Sequence, residues 1–342
     1  MRGVLAAALA AGLMLLAGCG IMQAHWAVRL LHSAKSEFTP ASYRRETDGD
    51  SDSTVYYHDR VIVLMYHDVS PKPLNDKSLT VDRFERQLEM MKAEGFHWIT
   101  MDQYVNFVTG KASVPDNAVL LTFDDGYESF YKYAYPLLRK YGAPATNFLI
   151  VGTVGNPKAK GVPKLNWAQV REMHRNGISF FSHSYNSHAE LPVRPGSRVV
   201  RGMLAVPMYL KSKGRIETEQ EYDQRVIRDL TEADRVLREQ VGNRYDVLAF
   251  PYGDYSPRLL NLCRKLGIQV TFTVKPGING PGQLNGYRVN AGGMQDDPTL
   301  LIDEMKAGIP SRCMSWAVSK GTGQGSSQYA ACGWGLLGPA VP

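Results

Sequence analysis

Ala118-Val119-Leu120-Leu121-Thr122-Phe123 is a nearly continuous apolar run that closes on Asp124-Asp125-Gly126. A run of this kind, without polar alternation, suits a strand buried on both faces of a parallel sheet. The Asp-Asp-Gly sets two carboxylates and a turn-forming glycine at the strand's carboxyl end, where parallel sheets carry their chemistry. The pattern recurs on either side. Val61-Ile62-Val63-Leu64-Met65 runs into Tyr66-His67, and a helix is expected near Val81 to Glu94. Beyond Gly126 come a helix near Tyr127 to Tyr141, a strand at Ala145 to Val151, a helix at Trp167 to Arg175 and a strand at Ile178 to Phe181. A long charged helix, Gln220 to Gln240, precedes Val247 to Phe250, and a further unit follows through Leu259 to Phe272. Strands alternating with helices are βα units, so the class is α/β, and seven or so units predict a closed or nearly closed barrel. An open doubly wound sheet is the alternative, because hydrophobic pattern alone does not separate the two.

Three motifs sit at predicted strand ends. In Asp124-Asp125 one carboxylate can ligate a cation while the other acts as a base, although Asp-Asp-Gly is also an ordinary solvated turn. The segment Phe180-Phe181-Ser182-His183-Ser184-Tyr185-Asn186-Ser187-His188 presents two imidazoles five positions apart. Five is not the spacing of a helix face, so these side chains belong to a loop or a strand end. Joined to the carboxylates they make an Asp-His-His set with a position open for water, the donor set of a catalytic zinc site. The third motif, Ala249-Phe250-Pro251-Tyr252-Gly253-Asp254-Tyr255, fixes a turn beside an aromatic ring suited to the wall of a sugar pocket.

On these motifs the sequence resembles the NodB-homology polysaccharide deacetylases of carbohydrate esterase family 4, from roughly Val61 to Met305. It is most similar to the branch that de-N-acetylates the extracellular poly-β-1,6-N-acetylglucosamine of biofilms. The resemblance implies a distorted (β/α)7 barrel. It implies Asp124 as catalytic base and Asp125, His183 and His188 as ligands of a divalent metal, with zinc the expected ion. Most of the family spaces its histidines four apart, whereas this branch uses the wider His-x-x-x-x-His found here, which is the main reason for the substrate expected. Phe250-Pro251-Tyr252-Gly253 stands where the wider family has an arginine-bearing proline motif. Pro251 and Tyr252 are therefore expected at the substrate, with the Tyr252 backbone N–H facing the oxyanion. In the implied reaction the ion polarises the acetamide carbonyl and acidifies water, Asp124 takes the proton, and acetate leaves a glucosamine residue behind.

The proton donor departs from the family pattern. Many members use a late histidine in a Leu-x-His-like motif, yet all eight histidines here lie at or before His188. His67, in Met65-Tyr66-His67-Asp68, is the candidate acid or substrate contact, with Asp68 to orient it; a packing role competes with that reading. Trp167, at a predicted helix start, is a candidate wall for a pyranose ring and equally a packing residue. Ala189 to Glu219 interrupts the βα rhythm just after His188, as a lid or substrate rim would. The missing late histidine keeps a non-catalytic, glycan-binding surface lipoprotein as an alternative. A deacetylase of peptidoglycan or another β-1,4-linked N-acetylglucosamine polymer is the other.

At the amino terminus, Arg2 precedes an apolar run from Val4 to Ala17, short for a membrane span, that ends in Leu16-Ala17-Gly18-Cys19. This resembles a bacterial lipobox. It implies a signal peptide over residues 1–18 and a lipid on Cys19 that anchors the protein to the bilayer, at the cell membrane and facing the extracellular or periplasmic side. Residues 19–57 then read as a flexible tether, 58–310 as the deacetylase domain and 311–342 as a Gly/Ser-rich tail. With Cys19 assigned to lipid, Cys263, Cys313 and Cys332 allow at most one intramolecular disulfide, and Cys263 lies in an apolar helical pattern as a buried thiol. Lys and Arg number 39 against 33 Asp and Glu, a net +6 spread over 342 residues. That is no dense basic stripe, and no nucleic-acid partner is expected. No second module is visible, so polysaccharide synthase or export functions fall to separate partner proteins.

Overall fold

Each apolar run forms a strand, and nine strands join in one parallel sheet in a computed structural model that describes residues 54–72, 78–293 and 297–308. The segment 1–18, Cys19, most of the expected tether, Cys313, Cys332 and the tail lie outside the described residues. The strands are β1 (Val61–Tyr66), β2 (His97–Trp98), β3 (Ala118–Phe123), β4 (Ala145–Leu149), β5 (Ile178–Ser182), β6 (Asp246–Ala249), β7 (Ile268–Phe272), β8 (Asn285–Gly286) and β9 (Val289–Asn290). They pair in the order β8-β7-β6-β5-β4-β3-β1-β9, with β2 beside the start of β3.

The two ends of this order decide between barrel and open sheet. β8 and β9 are its opposite edges, yet only Tyr287 and Arg288 separate them in the chain. Residues advance at most about 3.5 Å each, so the edges lie within roughly 10 Å of each other. The sheet therefore curls into a half-open, distorted (β/α)7 barrel, and the doubly wound alternative is set aside. Alternation along the strands sorts side chains by layer: Val61, Val63, Leu120, Phe148, Val270 and Phe272 cluster on the inner face, while Ile62, Leu64, Val119, Leu121, Phe123 and Leu149 cluster on the other.

The helices are α1 (Val81–Ala93), α2 (Met101–Val108), α3 (Tyr135–Tyr141), α4 (Trp167–Arg175), α5 (Glu219–Val241), α6 (Pro257–Lys265) and α7 (Pro298–Lys306). α2, α4 and α5 open on capping boxes, Thr100 with Gln103, Asn166 with Gln169, and Thr218 with Glu221. α5 buries Tyr222, Val226, Leu230, Ala233 and Leu237, the three-to-four spacing of one helical stripe. The helix expected over Tyr127 to Tyr141 is interrupted: Phe130–Ala134 forms a π-turn, and Tyr135 N–H donates to the Phe130 carbonyl five residues back. Pro136 has no N–H for its i−4 carbonyl, which favours this wider turn.

The segment Ala189 to Glu219, which broke the βα rhythm, folds up to the start of α5 into two antiparallel hairpins, Glu190–Pro192 with Val200–Gly202 and Tyr209–Leu210 with Arg215–Ile216. Asp254 fastens the first: its carboxylate accepts from Arg201 Nε at 2.8 and 3.0 Å and from Gly202 N–H at 2.7 Å. Tyr56 and Tyr57, at the end of the segment read as tether, are docked on the domain, with Tyr57 buried and donating to the Ala118 carbonyl. Cys263 is buried and its thiol is pushed up to about 12, chiefly by desolvation, so it is no nucleophile at neutral pH. Among the described residues no helix is long and apolar enough to cross a membrane.

Candidate active site

Parallel pairing brings the carboxyl ends of β1, β3, β5 and β6 to one rim of the barrel. Just past β3, β5 and β6 stand three non-glycine residues in the left-handed region: Asp125 at φ 74°, Ser184 at φ 81° and Tyr252 at φ 60°. Each conformation costs of order 1 kcal/mol or more, and such strain persists where the surrounding structure holds a functional geometry. Gly253, also at positive φ, lets the Pro-Tyr-Gly turn lie against β7's exit: a Cβ there would meet the Val274 backbone nitrogen at 2.7 Å.

His183 and His188 converge on Asp125. Their Nε2 atoms lie 3.6 and 3.1 Å from Asp125 Oδ1, and one ligand atom from each of the three residues lies within 4.8 Å of the others. Asp125 Oδ1 is buried and accepts no hydrogen bond of good geometry. A buried carboxylate oxygen without a donor, faced by two imidazole nitrogens, fits a divalent cation at the point where they meet. The tautomer of His183 agrees. Its Nδ1 is 2.8 Å from the Ala249 carbonyl, which can only accept, so Nδ1 carries the proton and Nε2 offers its lone pair to the site. Burial pushes the His183 imidazolium down to about 4, which keeps this ring neutral, as ligation requires. His188 Nδ1 lies 3.2 Å from the Tyr252 hydroxyl. Burial pushes the Asp125 carboxyl up, but His188 and His183 outweigh it and hold the group well below the usual range.

Asp124 is not part of this triad; it turns to a residue that the sequence did not single out. Arg288, from the two-residue link between β8 and β9, is fully buried and donates to both Asp124 carboxylate oxygens at 2.7 and 2.8 Å. Its Nε donates to the Thr273 carbonyl at 2.9 Å. Burial raises the Asp124 carboxyl, while the charge and paired hydrogen bonds of Arg288 more than offset it, leaving an ionised carboxylate with lone pairs still open. Phe250-Pro251-Tyr252-Gly253 carries no arginine, and the guanidinium beside Asp124 comes from the barrel seam.

His67 stands half-buried at the end of β1, close to both Asp124 and Asp125. Asp68, the expected orienting group, is buried, and its Oδ2 accepts from Ser70 at 3.0 Å and Ser78 at 2.7 Å. Trp167 opens α4, half-buried against the outer core cluster and near Gly155. Two further residues join the site. Tyr127 follows the Asp-Asp-Gly turn, and burial together with the nearby Asp125 charge raises its phenol and keeps it protonated. Lys164 donates to the Asp125 carbonyl at 2.9 Å with its ammonium 3.9 Å from the Tyr127 ring centre. Their nearness to the Asp-Asp-Gly turn was the only available signal for Tyr127; nothing marked Lys164.

Residues 111–271 match the polysaccharide deacetylase family. Similar proteins include the poly-β-1,6-N-acetyl-D-glucosamine N-deacetylase of Escherichia coli strain K12, 26% identical over 241 residues, 67% of this chain and 36% of that protein. The enzyme of the same name from Staphylococcus aureus strain MSSA476 is 24% identical over 244 residues, 67% of this chain and 77% of that one. The chain thus spans little more than a third of the length of the E. coli relative. Among solved structures, the BpsB deacetylase domain from Bordetella bronchiseptica superposes with a TM-score of 0.59 at 26% identity, covering 68% of this chain and 95% of that one. A de-N-acetylase from Aggregatibacter actinomycetemcomitans reaches 0.62 at 24% identity, over 68% and 94%, and shares the fold. Over residues 111–271 the chain is thus similar to the polysaccharide deacetylases, and beyond that stretch to poly-β-1,6-N-acetyl-D-glucosamine N-deacetylases, with which it shares the half-open barrel fold.

Proposed function

We propose that this domain hydrolyses N-acetyl groups of extracellular poly-β-1,6-N-acetyl-D-glucosamine and releases acetate. The observation that carries the reading is the convergence of Asp125, His183 and His188 beside a buried, ionised Asp124. The five-residue histidine spacing and the names of the similar proteins support the β-1,6 polymer.

Asp125, His183 and His188 would hold a divalent ion, zinc by its donor set, which polarises the acetamide carbonyl when bound. Asp124, kept ionised by Arg288, accepts a proton from the attacking water. The Tyr252 backbone N–H donates to the oxyanion, with Pro251 fixing the turn that presents it. His67 gives the proton that lets the amine leave, and Trp167 with the hairpins of residues 189–218 forms the sugar-facing rim. The product gains an ammonium at each deacetylated residue.

The test compares acetate release by metal-reconstituted protein on β-1,6-linked and β-1,4-linked N-acetylglucosamine oligomers, with Asp124→Asn as control. Release from the β-1,6 series well above the control is the expected result. Preference for β-1,4 oligomers overturns the substrate, and no release from either, with wild type equal to the control, points to glycan binding without catalysis.

We also propose that Cys19 is lipidated after cleavage of residues 1–18 and anchors the domain outside the cytoplasm. Leu16-Ala17-Gly18-Cys19 after an apolar run supports it. Labelling with an alkyne-bearing fatty acid should mark wild type and spare Cys19→Ser; equal labelling of the two would overturn the anchor.

A further inference from the structure

From His183 to Ala189 the chain has no regular secondary structure, yet it must bring a second imidazole against Asp125. Ser184, at φ 81°, turns the chain, and the next groups face one point. Asp229, half-buried on α5, stands there. Its Oδ1 accepts from Tyr185 N–H at 2.9 Å, and its Oδ2 accepts from Asn186 N–H at 2.9 Å and from the Ser187 hydroxyl at 2.8 Å. Ser187 N–H donates in turn to Ser184 Oγ at 3.1 Å, closing the loop on itself. Successive backbone amides gathered after a left-handed residue form an anion-binding concavity. Here the anion is the chain's own carboxylate, through three charge-assisted bonds.

The two histidines differ in how much they need this. His183 is buried and anchored through Ala249. His188 is 21% exposed, follows Ser187 directly, and touches the Tyr252 hydroxyl at 3.2 Å. We propose that Asp229 is a positioning residue: it fixes the backbone at 185–187, sets His188 Nε2 against Asp125, and so sets the site's affinity for its divalent ion. The inference rests on the metal-site reading above and adds the element that makes a five-residue spacing workable without a helix face. Groups that orient metal ligands are worth about 10–100-fold in affinity when removed.

The experiment measures Zn2+ affinity of chelator-stripped protein by competition with a chromophoric chelator, and the visible absorption of the Co2+ form. Asp229→Ala should weaken Zn2+ binding by about 10–100-fold and alter the Co2+ spectrum. Asp229→Asn keeps volume and one acceptor oxygen, should fall between, and carries the test if the alanine variant fails to fold. Asp223→Asn breaks an ion pair of the same helix with Arg258 away from the loop and should bind as wild type does. Wild-type affinity and an unchanged Co2+ spectrum in both Asp229 variants would overturn the proposal while leaving the site intact. Absence of metal binding by wild type would overturn the site and the proposal together.

Discussion

Replacing Arg288 by methionine removes the counter-charge of Asp124 while keeping most of the buried volume. The guanidinium is fully buried and makes two bonds to the carboxylate, at 2.7 and 2.8 Å. Breaking a buried pair on one side leaves an uncompensated charge, at a cost of about 3–5 kcal/mol. The carboxyl escapes part of that by taking up a proton, so its pKa must rise from its present depressed position. The sign follows. In wild type the folded carboxyl binds its proton less tightly than the unfolded one, so its contribution is present above the unfolded pKa and lost as pH falls through the folded value. In the variant the order inverts, and the deficit shrinks as pH is lowered. Urea unfolding of metal-free protein should show a loss of about 3–5 kcal/mol at pH 8 that narrows toward pH 5. Adding Asp124→Asn to the variant removes the orphaned charge and should restore stability above that of Arg288→Met alone. In metal-restored protein the acid limb of acetate release should move to higher pH. A variant within about 0.5 kcal/mol of wild type, or one destabilised equally with and without Asp124→Asn, would show that the pair does not hold Asp124 ionised.

Other outcomes follow from the same geometry. Asp234, buried on α5 near Asp246, has its carboxyl raised to about 7 by burial and that neighbouring charge. Because its folded pKa exceeds the unfolded one, stability falls as pH rises from about 4 to 7; Asp234→Asn should remove this slope and gain up to about 4 kcal/mol at pH 8, read by thermal melts across pH. His188→Ala should lose Zn2+ affinity with little change in metal-free melting, whereas His183→Ala, which also leaves the Ala249 carbonyl unpaired, should lower both, by about 1–3 kcal/mol in stability. Equal melting of the two histidine variants would count against the anchoring role of Ala249. Gly253→Ala sets a Cβ against the Val274 backbone nitrogen at positive φ and should cost about 1–3 kcal/mol in urea unfolding; an unchanged midpoint would mean that the turn is free to shift.

What was readable in the sequence is what pattern encodes. Six consecutive buried residues in each of β1 and β3 follow from nearly continuous apolar runs next to turn residues. The triad was readable because its members lie at strand ends and parallel pairing must gather such ends. Arg288 was not. A single arginine between two short strands has no periodicity, and only barrel closure carries it from the seam to Asp124, 164 positions away in the chain. Asp229 was hidden for the opposite reason, since on a highly charged helix one more carboxylate looks solvated until its three donors are seen. The hairpins of residues 189–218 are short and partly exposed, so they lack the apolar runs that announced the barrel strands.

The central claim, metal-dependent deacetylation at Asp124 and its neighbouring triad, is tested most directly by acetate release from a β-1,6-linked N-acetylglucosamine oligomer before chelation, after it, and after Zn2+ is restored. The account predicts release that vanishes on chelation and returns with the metal. Release unchanged by chelation, or none once the ion is restored, would contradict it.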